Sequence, residues 1–170
     1  TTGSVTLRAV ATDNDGASAE TTRTVTVQAP FIPPPAGGSE LIVDNEDSAF
    51  TTTGSWPTFS TASNYASNYQ IHNPQNSNNP NTATWRLAAV TPGRYEVQAY
   101  WVVSGSRSPE APYTVYHASG NTTVTVDQRS NGGSWQTLGT FDLDANSRVV
   151  LSAVPSGKVA ADAIRVVPAP

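Results

Sequence analysis

The stretch Ala111–Arg129, APYTVYHASGNTTVTVDQR, decides which fold the sequence predicts. Apolar and aromatic residues alternate with polar residues on both sides of the segment Ser119-Gly120-Asn121. Period-two alternation of β-branched and aromatic residues around a Gly/Asn turn is typical of a β-hairpin. Because one face of each strand is apolar, this hairpin requires a second apolar layer. The stretch therefore predicts a sandwich of two sheets.

Similar alternating segments recur through the second part of the chain, among them Thr82–Leu87, Arg94–Val103 and Val159–Val167. Turn-forming Gly, Asn and Pro residues separate them, and no segment has the period of an amphipathic helix. The polar stretch 61–81 is rich in Asn, Ser and Pro, which predicts a long loop. The fold class predicted is all-β: an antiparallel two-sheet β-sandwich of jelly-roll-like character.

Composition excludes several classes of function. The chain of 170 residues has a net charge of −4, nine Lys and Arg residues and no Cys. Without a basic run, a nucleic-acid partner is not expected, and no apolar stretch reaches the roughly 18 residues that membrane insertion requires. The lack of Cys excludes disulfides and thiolate metal sites. An acidic, Thr- and Asn-rich, Cys-free β-chain favours an extracellular, secreted or cell-surface location.

A proline-rich segment predicts the domain boundaries. Residues 30–39 contain three consecutive prolines, which form a stiff spacer, and two glycines, which add flexibility. Residues 1–29 before this linker hold only two alternating strands, too few to be stable alone in water. We expect them to be the last hairpin of a truncated domain, or to pack against the main domain or a neighbouring molecule. Residues 40–170 form the main domain.

Motifs in both parts resemble known families. Residues 5–27, VTLRAVATDNDGASAETTRTVTV, resemble the last hairpin of a bacterial immunoglobulin-like or polycystic-kidney-disease-like domain. Residues 41–167 are similar to the golvesin carboxy-terminal-like domain, also described as the xanthan-lyase carbohydrate-binding-like domain. Seven motifs carry that resemblance in order: IVDNEDSAF, TGSW, TATWRL, PGRYEVQAYW, APYTVYHASGNTTVTVDQR, GGSWQTLGTF and ADAIRVV. The resemblance implies a β-sandwich appended to secreted bacterial hydrolases, lyases or surface proteins. The Asn/Pro-rich insertion Tyr69–Asn81 departs from the family pattern because it is longer than usual.

Catalytic motifs are absent from the sequence. There is no Gly-x-Ser-x-Gly elbow to present a nucleophile. His117 alternates with apolar residues, so we interpret it as a satisfied, partly buried histidine, and His72 is expected on the surface of the long loop. The spacing of the carboxylates does not indicate that any two face each other across a sugar. The chain is therefore predicted not to be an enzyme.

Aromatic residues supply the candidate binding site. Trp85, Trp101 and Trp135 are predicted to lie in the core. Exposed aromatic rings can stack on the apolar side of a sugar, while polar neighbours fix its hydroxyls. Five rings fall in loops or on polar strand faces and are the candidates for a stacking platform: Trp56, Tyr65, Tyr69, Tyr100 and Tyr116. Arg107, Gln98 and Asn68 are the candidate hydroxyl partners.

Two acidic residues offer a candidate metal site. If the first and last strands of the main domain are neighbours, Asp44 and Asp162 could share a Ca²⁺ ion, which prefers oxygen ligands. In the alternative interpretation, each carboxylate accepts backbone N–H bonds or pairs with Arg165 or Arg129.

These observations predict a non-catalytic accessory module of a secreted bacterial protein. It would bind polysaccharide and hold a covalently attached enzyme domain near its substrate by raising its effective concentration. The alternative is a structural or adhesive cell-surface module that acts through protein–protein contacts, for which an unpaired strand edge would suffice.

Overall fold

The computed structural model describes residues 3–27 and 39–169, which belong to two separate compact units. Residues 30–38 of the predicted linker lie outside the described residues. All the regular structure within 3–27 and 39–169 is β-structure. A helix long and apolar enough to cross a membrane is not found in this described part of the chain.

The first unit is the predicted hairpin, formed by β1 (Gly3–Thr12) and β2 (Ser18–Val27). The strands pair antiparallel, with Val5 opposite Val25. Asp13 stabilises the turn because its Oδ1 accepts the backbone N–H of Asp15 at 3.0 Å and of Ala17 at 2.9 Å. The hairpin is confirmed, whereas its origin in an immunoglobulin-like domain stays a prediction.

Residues 39–169, the described part of the second unit, contain twelve strands in three antiparallel sheets. In chain order the strands are β3 (Leu41–Asp44), β4 (Phe50–Thr52), β5 (Thr58–Phe59), β6 (Tyr69–His72), β7 (Thr82–Arg86), β8 (Gly93–Tyr100), β9 (Ala111–His117), β10 (Gly120–Val126), β11 (Gln136–Leu143), β12 (Arg148–Ser152), β13 (Val159–Ala161) and β14 (Ala163–Pro168). The five-stranded sheet has the order β10-β9-β12-β7-β4, the four-stranded sheet β11-β8-β14-β3, and the small sheet β13-β6-β5. The β9–β10 hairpin predicted from the sequence is present. The predicted β-sandwich is confirmed.

The core lies between the five-stranded and four-stranded sheets. Strand β8 alternates without interruption, with Tyr95, Val97 and Ala99 buried and the intervening residues partly exposed. Opposite it, the rings of Trp85 and Tyr113 stack with centroids 6.3 Å apart, and both side chains are fully buried. The alternation in the sequence thus specifies which face of each strand enters the core.

Two predicted elements differ from the structure, and both differences involve the small sheet. The predicted single strand Val159–Val167 is broken at Asp162 into β13 and β14, which belong to different sheets. The carbonyl oxygen of Asp162 accepts the indole N–H of Trp85 at 3.2 Å. The bond from Trp85 satisfies a carbonyl group that does not belong to a strand. The chain can therefore leave one sheet and enter another at Asp162. The predicted long loop contains β6, which pairs with β13.

Candidate functional site

The outer face of the four-stranded sheet carries the candidate site. Tyr100 on β8 pairs with Ala163 on β14, which pairs in turn with Asp44 on β3. In the next row, Gln98 pairs with Arg165. Directly opposed residues in an antiparallel pair share a face of the sheet, so these side chains lie on the side away from the core.

Three aromatic rings cluster at one end of this face. Tyr65, from the loop between β5 and β6, lies with its ring centroid 5.8 Å from Tyr100 and 5.2 Å from Trp135. The centroids of Tyr100 and Trp135 are 5.3 Å apart. All three rings are partly exposed. They meet at interplanar angles of 57° to 71°, so the cluster is an edge-to-face wall rather than a flat platform.

Trp135 was not expected in this cluster, and its predicted place in the core is wrong. Gln136 pairs with Ala99, which places Trp135 next to Tyr100 just before β11 begins. The buried residue of this segment is Leu138 instead. The Arg165 guanidinium lies 4.8 Å from the Trp135 ring centroid, in a cation–π arrangement.

A hydrogen-bonded polar row lies beside the aromatic wall. Gln98 donates from Nε2 to Glu96 at 2.7 Å and accepts from Arg165 Nε at 2.7 Å. Thr137 Oγ1 also donates to Glu96 Oε1, at 2.5 Å. The hydrogen bonds from Thr137 and Gln98 lower the pKa of Glu96 below its usual range. Glu96 is therefore an ionised acceptor held in place by its neighbours.

Two rings predicted to be exposed are buried. Trp56 is 7% exposed, its Nε1 donates to the Thr53 carbonyl at 2.9 Å, and its ring lies 5.0 Å from His72. Tyr69 is 5% exposed because it begins strand β6 rather than continuing a loop. The prediction that Trp56 and Tyr69 are surface rings is wrong, and neither reaches the outer face.

Arg107 and Tyr116 also lie apart from the cluster. Arg107 is buried, where its Nε donates to the Val102 carbonyl at 3.3 Å and its Nη2 to the Tyr69 hydroxyl at 3.4 Å. It cannot reach a sugar hydroxyl from that position, so its predicted role is wrong. Tyr116 is partly exposed but belongs to the five-stranded sheet, and the Arg148 guanidinium lies 3.7 Å from its ring centroid. Of the predicted rings, Tyr65 and Tyr100 come together.

The two candidate metal ligands, Asp44 and Asp162, are neighbours behind the cluster. Asp162 Oδ2 accepts the backbone N–H of Tyr65 at 3.2 Å, as the alternative interpretation expected. Burial, which disfavours the ionised form, raises the pKa of Asp162 to about 8 and that of Asp44 to about 6. Neither predicted arginine compensates these carboxylates, because Arg165 pairs with Glu40 and Arg129 with Asp127.

The two histidines differ in environment. His117 is partly exposed, as expected, and its ring stacks on Phe141 at 5.3 Å. His72 is buried, so the prediction that it lies on the surface of the loop is wrong. Its Nδ1 lies 2.6 Å from the Asn73 carbonyl oxygen and its Nε2 3.0 Å from Asn81 Nδ2. Both contacts are those of a structural side chain.

Comparison with known proteins identifies the family. The family model described as the golvesin C-terminal domain matches residues 41–168, three quarters of the chain. The chain belongs to the golvesin C-terminal domain family. The aromatic wall, built from Tyr65, Tyr100 and Trp135, lies within the matched range.

Relatives of this golvesin C-terminal domain include two xanthan lyases. The chain is 38% identical over 135 residues to the xanthan lyase of Bacillus sp. (strain GL1), and the match covers 75% of the chain but only 14% of that protein. The solved Paenibacillus xanthan lyase matches with a TM-score of 0.72 at 25% identity, covering 91% of the chain and 15% of the lyase. A carbohydrate-binding module, CBM35 from Cellvibrio japonicus Abf62, shares the fold at 21% identity with a TM-score of 0.52, covering 76% of the chain and 93% of the module.

Proposed function

We propose that residues 39–169 are a non-catalytic module that binds polysaccharide through the outer face of the four-stranded sheet. The observation that carries the proposal is the wall of three partly exposed rings, Tyr65, Tyr100 and Trp135, beside a fixed polar row. Aromatic side chains that meet on a strand face away from the core gain nothing from core packing. A ligand with an apolar surface explains their place there.

The chemistry of the face suits a sugar chain. The C–H faces of a pyranose ring can pack against the exposed parts of Trp135 and Tyr100, whose angled rings would cradle one residue of the chain. Glu96 and Gln98 lie along the same strand face and can exchange hydrogen bonds with sugar hydroxyls. Because these polar groups already hold one another in position, little side-chain entropy is lost when the sugar binds.

The role we assign to the module follows from its relatives. In the Bacillus xanthan lyase, a protein named for its action on a polysaccharide, the matched segment is 14% of the protein. We infer that the module is similarly attached to an enzyme or surface protein outside the cell. Binding to a polymer would keep such a domain near its substrate, because tethering raises the local concentration without new catalytic groups.

Affinity gel electrophoresis of the whole chain tests this proposal. Xanthan, a soluble cellulose derivative and a soluble chitin derivative are cast into native gels, and the migration of the protein is compared with that in a gel without polysaccharide. We expect retardation by at least one polymer. Replacing Trp135 by Ala should weaken the affinity by about tenfold or more, equivalent to about 1.4 kcal/mol, because it removes one of the three rings of the aromatic wall.

Tyr116→Ala is the matched control. Tyr116 is another partly exposed ring over which an arginine lies, but it is on the five-stranded sheet. Its replacement should leave the retardation unchanged. Equal losses for Trp135→Ala and Tyr116→Ala, or no retardation by any polymer with the fold intact by circular dichroism, would contradict the proposal.

A protein-contact role is a second candidate, favoured by the hairpin. Val5, Leu7, Val10 and Val25 are between 41% and 57% exposed, and two paired strands leave both outer edges open. We propose that this hairpin pairs with another protein surface or a second copy of the chain. Sedimentation velocity over a concentration series should then detect association that Leu7→Lys abolishes, whereas a monomer at every concentration would contradict self-association.

A further inference from the structure

Three buried oxygen atoms near the junction of β3 and β14 have no hydrogen-bond partner among residues 3–27 and 39–169. They are Asp44 Oδ1, Asn45 Oδ1 and Asp162 Oδ1. The side chains that carry them are 8%, 5% and 0% exposed. Buried oxygen acceptors are rarely left unpaired in proteins, so three of them at one place call for a hydrogen-bond donor or a cation.

The strand register brings these residues together. Asp44 pairs with Ala163 across the β3–β14 ladder. Asn45 follows Asp44, and Asp162 precedes Ala163, so they occupy the next opposed positions of the two antiparallel chains. One short loop also contacts both: the Tyr65 backbone N–H donates to Asp162 Oδ2 at 3.2 Å, and Asn45 Nδ2 donates to Asn68 Oδ1 at 2.6 Å.

The orientation of Asn45 is determined by its neighbours. Asn68 Nδ2 donates to the carboxylate of Glu46, which can only accept. The other end of the Asn68 amide, Oδ1, must therefore accept, and the group that donates to it is Asn45 Nδ2. The unpaired atom of Asn45 is consequently its carbonyl oxygen, the end of an amide that binds metal ions.

The two arginines predicted as alternative partners, Arg165 and Arg129, are engaged with other groups. Arg165 Nη1 lies 3.5 Å from Glu40 Oε2, and its Nε donates to Gln98 at 2.7 Å. Arg129 is bound to Asp127 at 2.8 Å. A fourth buried oxygen without a hydrogen bond, Asp142 Oδ1, does have a cation nearby, since Arg94 Nη1 lies 3.8 Å from it.

We propose that Asp44, Asn45 and Asp162 bind a calcium ion through these three oxygens. Carboxylate and amide oxygens are the ligands of a hard cation, and the tolerance of Ca²⁺ for irregular geometry suits three ligands with water in the remaining positions. Among the described residues, no group of three or more Asp, Glu, His or Cys side chains is placed to hold a metal ion, and the proposed site has two carboxylates and one amide. We therefore expect a dissociation constant of about 0.1 to 1 mM, the range of extracellular calcium modules.

Terbium luminescence tests the site, because Tb³⁺ replaces Ca²⁺ at oxygen ligands and is sensitised by nearby aromatic rings. Trp85 donates to the Asp162 carbonyl at 3.2 Å, and Tyr65 donates its backbone N–H to the Asp162 carboxylate, so sensitisers adjoin the site. Tb³⁺ added to the whole chain after EDTA treatment and desalting should give emission on excitation of the protein. Ca²⁺ in the millimolar range should quench that emission by competition.

Asp162→Asn and Asp142→Asn form the matched pair of variants. Each replaces a carboxyl group by an amide of almost the same shape, and each alters a residue whose Oδ1 is buried without a hydrogen bond. Asp162→Asn should abolish the emission that Ca²⁺ competes, and Asp142→Asn should retain it, with both folds checked by circular dichroism. No sensitised emission from the wild type, or equal emission from Asp162→Asn, would overturn the proposal. The site does not depend on polysaccharide binding, so it can fail while that function holds.

Discussion

Gln128 shows how a single side chain joins two sheets of the main domain. It is fully buried, and its Nε2 donates to the Tyr113 hydroxyl at 2.9 Å and to the Ala160 carbonyl at 2.8 Å. Its Oε1 accepts the Ala160 N–H at 2.8 Å. The Gln128 side chain, which lies in the segment after β10, thus hydrogen-bonds both the N–H and the C=O of Ala160 on β13. A fully satisfied buried amide of this kind specifies the packing as well as stabilising it.

Replacing Gln128 by Ala should therefore lower the free energy of unfolding by about 2–4 kcal/mol, because the two Ala160 groups lose their partner inside the core. Urea unfolding followed by tryptophan fluorescence measures the change. Gln136→Ala is the control, since that amide donates to Ser134 on the surface, and its effect should stay within about 0.5 kcal/mol. Similar effects of both substitutions would contradict this account of Gln128.

Residue type alone did not determine which aromatic rings reach the surface. Trp56 and Tyr69 are buried, although their surroundings in the sequence are polar, because Trp56 packs on His72 from further along the chain and Tyr69 begins a short strand. Trp135 is partly exposed, although tryptophan is usually a core residue. Tyr100 was predicted correctly to lie on the outer face because it belongs to a long strand with uninterrupted alternation. Periodicity is informative only where the element is long enough to show it.

At the scale of elements, the connection from β12 to β13 is held against the loop that contains Arg107. The backbone N–H of Ser108 donates to the Lys158 carbonyl at 2.7 Å, and Arg107 forms an isolated bridge with Lys158. Gly157 belongs to this connection and lies against the backbone of the loop. A Cβ at Gly157 would lie 2.7 Å from the Ser108 nitrogen. Only a residue without a side chain fits this crossing.

Gly157→Ala should accordingly destabilise the domain by about 1–3 kcal/mol, since the added methyl meets backbone atoms that cannot move independently. Differential scanning calorimetry of the variant beside Gly105→Ala provides the comparison. At Gly105 a Cβ would meet no described atom within 4 Å, so that substitution should be neutral or slightly stabilising. A Gly157→Ala protein that melts like the wild type would show that the crossing can relax.

The break at Asp162 is one of two features of the fold that the sequence did not indicate, the other being strand β6. The residues on either side of Asp162, 159–161 and 163–164, are apolar, so the pattern predicted one strand over 159–167. The structure divides it because partners far along the chain, Trp85 and Tyr65, bond to the Asp162 backbone and side chain. Such tertiary partners are not visible in local periodicity. The β9–β10 hairpin was predictable because its signal is entirely local.

At the scale of the whole molecule, the sandwich and its family could be predicted from motifs spread over residues 41–167. The site could not be predicted in this way, because it is formed by rings from distant parts of the sequence. Tyr65, Tyr100 and Trp135 are separated by 35 residues each, and only the fold brings their rings within 5.8 Å of one another. Sequence reasoning selected two of them by exposure. Trp135 could not be selected in this way, because no local sequence pattern indicates which rings from different strands lie close together.

The central claim is that polysaccharide binds on the outer face of the four-stranded sheet, and the indole N–H signals of the four tryptophans test it most directly. Trp56, Trp85 and Trp101 are buried, and Trp135 alone among them is partly exposed on that face. Titration of the ¹⁵N-labelled chain with a soluble fragment of the retarding polysaccharide should shift the Trp135 signal first and leave the Trp85 signal in place. Saturating polysaccharide that leaves Trp135 unshifted, or that shifts the Trp56 signal instead, would contradict the claim.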